Sequence, residues 1–153
     1  MSVLKSKRSV SKAEYVNTAK KIYVETVSFL SRLSARYSRL VSEPIMKLAS
    51  EIIINAEKAN SVFPTDEIRI AKREGYLIEA VMSAEALDMQ LSLCYDIMML
   101  NPSGCFVTSS NRDVDSSTAK RRLESMAERL GTMLDEETKM VRAVLKSDKS
   151  KSA

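Results

Sequence analysis

The side chains with most chemical leverage in this chain are cations. Residues 1–42 carry Lys5, Lys7, Arg8, Lys12, Lys20, Lys21, Arg32, Arg36 and Arg39 against only Glu14 and Glu25, and a second cluster, Lys120, Arg121 and Arg122, follows much later. Bases in such numbers can neutralise a phosphate backbone and release its counterions, a chemistry that needs no particular base sequence. Tyr37 stands between Arg36 and Arg39, where an aromatic ring can stack on an unpaired base. No sequence-reading motif accompanies them, so recognition of shape or backbone is expected rather than base readout. A charge run more often merely solvates a surface, and that reading stands beside the functional one.

Other chemistries are poorly supplied. The chain has no histidine, which removes the commonest general base and the commonest transition-metal ligand. The Glu-x-x-His pairs of di-iron bundles are therefore absent. There is no Gly-rich phosphate loop, nucleophile elbow or Cys-x-x-Cys motif. The two cysteines, Cys94 and Cys105, make no disulfide framework, and Cys94 falls on an apolar stripe as a small hydrophobe would. Glu85 and Asp88 sit three apart on what reads as a solvated helix face. The expectation is a binding protein, not an enzyme, with no cofactor.

What must position the cations is helical. Three Gly, three Pro, three Phe and no Trp in 153 residues leave little material for turns or strands, and a chain this long makes one domain with a proper core. The fold class expected is all-α, an antiparallel up-down four-helix bundle with basic flexible termini. The basic N-terminus is not followed by the apolar run of a signal peptide, and no stretch approaches the ~20 apolar residues of a membrane span. A cytoplasmic protein that does not enter membranes is the expectation.

The central element runs from Thr65 to Leu100 with a single glycine, Gly75, and no proline. Its stripe of Ile70, Leu77, Ala80, Val81, Ala84, Leu87, Leu91, Cys94, Tyr95 and Met98 has helical spacing. A second set, Tyr76, Met82, Met89, Ile97 and Met99, widens the stripe beyond what one neighbour needs. From Glu74 to Leu100 this helix carries Glu74, Glu79, Glu85, Asp88 and Asp96 and no base. A polyanion is expected to avoid that stretch.

Around it the spacing predicts three more helices. Ser11 and Glu14 form a capping box ahead of a face made by Tyr15, Ala19, Ile22, Tyr23, Thr26, Leu30 and Leu33. The pattern continues in phase through Val41, so the break can fall in the serine-rich run Ser31 to Ser38 or at Pro44. The cost of proline inside a helix favours Ser42 as N-cap with Pro44 in the first turn. The expected helices are then 12–33, 43–60, 66–100 and 116–146, with a basic arm over 1–10 and a polar tail over 147–153. The connection from 101 to 115 is long for so compact a chain; Cys105 and Phe106 are expected to pin it to the core. In the last helix Ala119, Leu123, Met126, Leu130, Met133, Met140 and Val144 repeat at four and three, and only Glu137 breaks the seam.

The segment Leu40 to Glu57 resembles the second helix of a family of small bacterial four-helix bundles, through its leucine at the entrance, its apolar middle bearing Ser50, and the Ala56–Glu57 pair. That family includes ribosomal-RNA intervening-sequence proteins and the accessory variability proteins of diversity-generating retroelements. The resemblance implies a homo-oligomeric ring, often a pentamer, with a basic surface for RNA or DNA. In the retroelement branch it implies partnership with a reverse transcriptase and its template RNA. The alternative is a helical protein-interaction scaffold that binds no nucleic acid.

Overall fold

The computed structural model describes residues 13–151. Lys5, Lys7, Arg8, Lys12, the expected arm over 1–10 and the Ser11 cap lie outside the described residues. Four helices follow one another: α1 Glu14–Ser31, α2 Ala35–Asn60, α3 Glu67–Leu100 and α4 Ser116–Lys151. Each packs on its two neighbours in a closed square, α1 on α2 and α4, and α3 on α2 and α4. Cross-helix pairs such as Lys20–Glu57, Ser83–Glu51, Arg129–Glu25 and Arg73–Asp148 run low to high, so all neighbours are antiparallel. The all-α four-helix bundle expected from composition and periodicity is what forms.

The long helices are capped as their sequences suggest. Asp66 Oδ1 accepts from the Arg69 amide at 2.8 Å, and Asp115 Oδ1 accepts from the Thr118 amide at 2.8 Å, each satisfying a donor with no partner inside its helix. On α3, the residues of the first stripe are buried apart from Val81 and Tyr95, which are partly covered. The second set splits: Tyr76 and Met99 pack against the core, whereas Met82, Met89 and Ile97 are exposed.

Three expectations are corrected. The break between the first two helices falls at Arg32 to Ser34, not at Pro44, which sits inside α2. Its long-range partners explain the choice: the Ser34 amide donates to the Cys105 carbonyl at 2.8 Å, and the Val107 amide donates to the Arg32 carbonyl at 3.0 Å. The connection 101–115 thus supplies the hydrogen bonds that an interrupted helix loses. Pro44 is tolerated on the exposed side of α2, and Ser42, expected as a cap, lies within the helix 3.1 Å from the Ser38 hydroxyl. The last helix continues to Lys151 instead of ending at 146, because Asp148, placed in the expected tail, is 3% exposed and bonded to Arg73 at 2.7 Å.

The seam of α4 is the third correction. It follows Ala119, Leu123, Met126 and Leu130, then moves to Leu134, Glu137 and Val141, leaving Met133, Met140 and Val144 partly buried beside it. A straight helix drifts relative to a strict seven-residue repeat, which turns Met133 and Met140 aside, while Glu137, at a position both patterns share, stays on the buried face at 1% exposure. Cys105 and Phe106 are buried as expected and anchor the connection. Past them the chain doubles back through a bridge between Val107 and Asp113. No helix among the described residues is long and apolar enough to cross a membrane.

Candidate nucleic-acid interface

The groove between α1 and α4 collects basic residues that are far apart in sequence. On α1 and its C-cap, Lys21, Glu25, Ser28 and Arg32 are spaced four, three and four, which places them along one side of the helix. On α4, Arg122, Ser125, Arg129 and Met133 repeat at three, four and four, and because the helices are antiparallel the two rows face each other in reverse order. Each row spans roughly 16 Å at the helical rise.

At one end of the groove, Ser28, Phe29, Arg32, Phe106, Arg122 and Arg129 border a cavity of about 280 Å³. A neighbouring open cavity of about 250 Å³ shares Arg32 and Arg122 and is bordered by Val107 to Ser109 of the connection. The Arg122 guanidinium carbon lies 5.6 Å from the centre of the Phe106 ring, within cation–π range. Phe106 meets Phe29 edge-on, with 6.0 Å between ring centres and 72° between planes. Arg129 faces Glu25 through two contacts of 3.2 Å, whereas no carboxylate pairs with Arg32 or Arg122 among the described residues. Three guanidinium groups and one carboxylate leave this cavity with a formal charge of +2. At the far end of the groove Lys20, Lys21, Val24, Arg129 and Met133 border a shallower depression.

The expected site residues separate on this geometry. Arg32 and Arg122 are brought together, and Lys20 and Lys21 lie along the same groove, with Lys20 3.5 Å from Glu57 of α2. Arg36 and Arg39 are exposed on the first turns of α2, at the same end of the bundle. Lys120 and Arg121 are exposed but do not join Arg122: consecutive helical residues turn by about 100°, so Lys120 lies about 160° round the helix from it. Tyr37 is partly buried against the core with its hydroxyl near the Cys105 thiol, and burial raises the pKa of both groups. The ring expected to stack on a base is thus committed largely to the fold.

Arg129 and Phe106 were not anticipated. The first was legible, since Arg122 and Arg129 are seven apart on one helix and share a face. The second was not, because only the fold brings the connection under Arg122.

A different polar group lies at the opposite end of the bundle. Arg73 bonds Asp148 and donates to the carbonyls of Ala59 and Val62 at 3.3 and 3.2 Å, joining the α2–α3 corner to the end of α4. Close to this pair, Tyr15 has a buried hydroxyl without a partner, and burial raises its pKa. Glu137 also sits in this region; both its oxygens lack partners and burial lifts its pKa from 4.5 to about 8. At 1% exposure Glu137 offers no surface to a substrate, so it belongs to the core. No group of carboxylates and thiols among the described residues is arranged to hold a metal ion.

Comparison of the chain with protein-family models, with curated proteins and with solved structures finds no match.

Proposed function

We propose that this protein is a non-enzymatic, oligomeric nucleic-acid-binding accessory protein of the cytoplasm, which assists a retroelement reverse transcriptase by binding its template RNA or DNA. The observation that carries the reading is the α1–α4 groove, where Arg32 and Arg122 face one cavity without carboxylate partners among the described residues. Burying or crowding unpaired cations is unfavourable unless an anion answers them. A polyanion does so along the groove, because Lys21 continues the basic row beyond the Arg129–Glu25 pair. The acidic stretch Glu74 to Leu100 lies on α3, diagonally across the bundle from α1. The resemblance of Leu40 to Glu57 supplies the reverse transcriptase and the possible pentamer.

The test is a gel-shift titration of the full chain with single-stranded RNA and DNA. Arg32→Glu with Arg122→Glu is expected to abolish binding at moderate salt, whereas Lys120→Glu with Arg121→Glu, an equal charge change on other faces of α4, retains most of it. Equal losses in the two pairs reduce the groove to general basicity, and no loss in either defeats the reading.

One observation favours the scaffold reading. Ile78, Met82, Met89, Leu93 and Ile97 are 41–57% exposed along one side of α3, a continuous apolar row on a helix already buried on its other side. Exposed rows of this kind mark contacts with other proteins or further copies of the chain. Light scattering of the wild type and of Met82→Glu with Leu93→Glu tests it: an assembly that falls to monomer in the variant supports a role in oligomer formation. A wild type that is already a monomer assigns the row to a different partner.

A further inference from the structure

We infer that Arg32 and Arg122 form a preorganised seat for one phosphate group, recessed at the end of the α1–α4 groove; the inference rests on the nucleic-acid reading for its source, a phosphodiester of a bound strand. Arg122 Nη1 is fully buried and has no hydrogen-bond acceptor. A charged group left with an unsatisfied donor is costly, and Arg122, partly buried between the two cavities it shares with Arg32, keeps the rest of its surface open to an anion. The guanidinium is held over Phe106 at 5.6 Å. Phe106 is itself fixed from both sides, by its bridge to Leu33 and by its carbonyl, which accepts from the Val114 amide at 3.1 Å.

Arg32 is anchored by the same clasp. Its carbonyl accepts from the Val107 amide at 3.0 Å, so one connection fixes both the backbone of Arg32 and the ring beneath Arg122 before any ligand arrives. Guanidinium groups match the geometry of phosphate oxygens with several directed N–H bonds, which an ammonium group cannot reproduce. The third arginine of the cavity does not compete for the ligand, because Glu25 neutralises it. The seat therefore carries two available positive charges and suits a single phosphate.

The test uses the full chain, a fluorescein-labelled single-stranded RNA of twenty nucleotides, and, separately, inorganic phosphate and adenosine 5′-monophosphate followed by NMR of the arginine side-chain resonances. Arg122→Lys keeps the charge and removes the fork; it is expected to weaken strand binding about tenfold or more at 150 mM salt. Arg32→Gln, at an exposed position where folding is not in question, is expected to weaken it comparably and to reduce the salt slope by about 0.7, the loss of one phosphate contact on a single strand. Strand binding that is unchanged in both variants overturns the seat while leaving the nucleic-acid reading standing. Phosphate or the nucleotide perturbing Arg122 in a wild type that binds no strand supports the seat, assigns it to a free phosphate, and defeats the nucleic-acid reading. Neither strand, phosphate nor nucleotide binding overturns both.

Discussion

Replacing Glu137 by glutamine should make the bundle's stability less dependent on pH, by an amount that follows from where the carboxyl sits. It is 1% exposed with no partner for either oxygen, and burial lifts its pKa from 4.5 to about 8. The facing groups are Tyr15 of α1, whose pKa is itself raised from 10.0 and so titrates outside the range concerned, and the Arg73–Asp148 pair farther along. Below pH 4.5 Glu137 is protonated in both folded and unfolded chains and its burial carries no ionisation penalty. As pH rises from 4.5 to about 8, the unfolded chain releases a proton that the folded one keeps, so stability falls. At 1.36 kcal/mol for each tenfold change in proton affinity, the full loss is about 5 kcal/mol, of which about 3 has accrued by pH 7. Glutamine is isosteric and does not titrate. In urea unfolding followed by circular dichroism at pH 5, 7 and 9, the stability of Glu137→Gln relative to wild type is therefore expected to improve by about 4 kcal/mol across the series. A difference that stays constant within about 1 kcal/mol would refute the reasoning, since the carboxyl would then be solvated or partnered in the folded chain.

Three further outcomes follow from the same structure. Pro44→Ala should raise stability by up to about 3 kcal/mol in thermal or urea melts, because α2 continues through this position and regains an internal hydrogen bond there. Arg73→Ala should cost about 3–5 kcal/mol by the same melts, since it strands Asp148 as a buried unpaired charge, whereas Arg73→Met combined with Asp148→Leu should recover most of that loss. Phe106→Leu should keep the fold within about 2 kcal/mol yet weaken strand binding, because it removes the ring that holds Arg122 in place.

The bundle was legible because its information is local. The spacing of Ile70 to Met98 states which face of α3 is buried, and Asp66 and Asp115 announce where the two long helices begin. What escaped was set by contacts distant in sequence. Pro44 looked like a helix start because its local cost is real, yet the break went to Arg32 to Ser34, where Cys105 and Val107 complete the backbone hydrogen bonds. Asp148 looked like tail until Arg73, seventy-five residues earlier, gave it a partner. Glu137 looked like an interruption of an apolar seam and is buried inside it as a carboxyl, while Leu134 and Val141 replace Met133 and Met140 on the buried face because the repeat drifts round the helix. The candidate site shows the same division. Arg32 and Arg122 were named from charge alone, but reading Lys120 to Arg122 as one cluster overlooked that neighbours in a helix point apart. Helical spacing would have paired Arg122 with Arg129, while Phe106 beneath the guanidinium required the fold.

The most direct test of the central claim is the salt dependence of wild-type binding to single-stranded RNA, measured by fluorescence anisotropy from 50 to 300 mM salt. If Lys21, Arg32 and Arg122 each meet a phosphate, the logarithm of affinity should fall against the logarithm of salt with a slope of about −2 or steeper. Absence of binding at 50 mM salt, or binding that does not change with salt, would contradict the account.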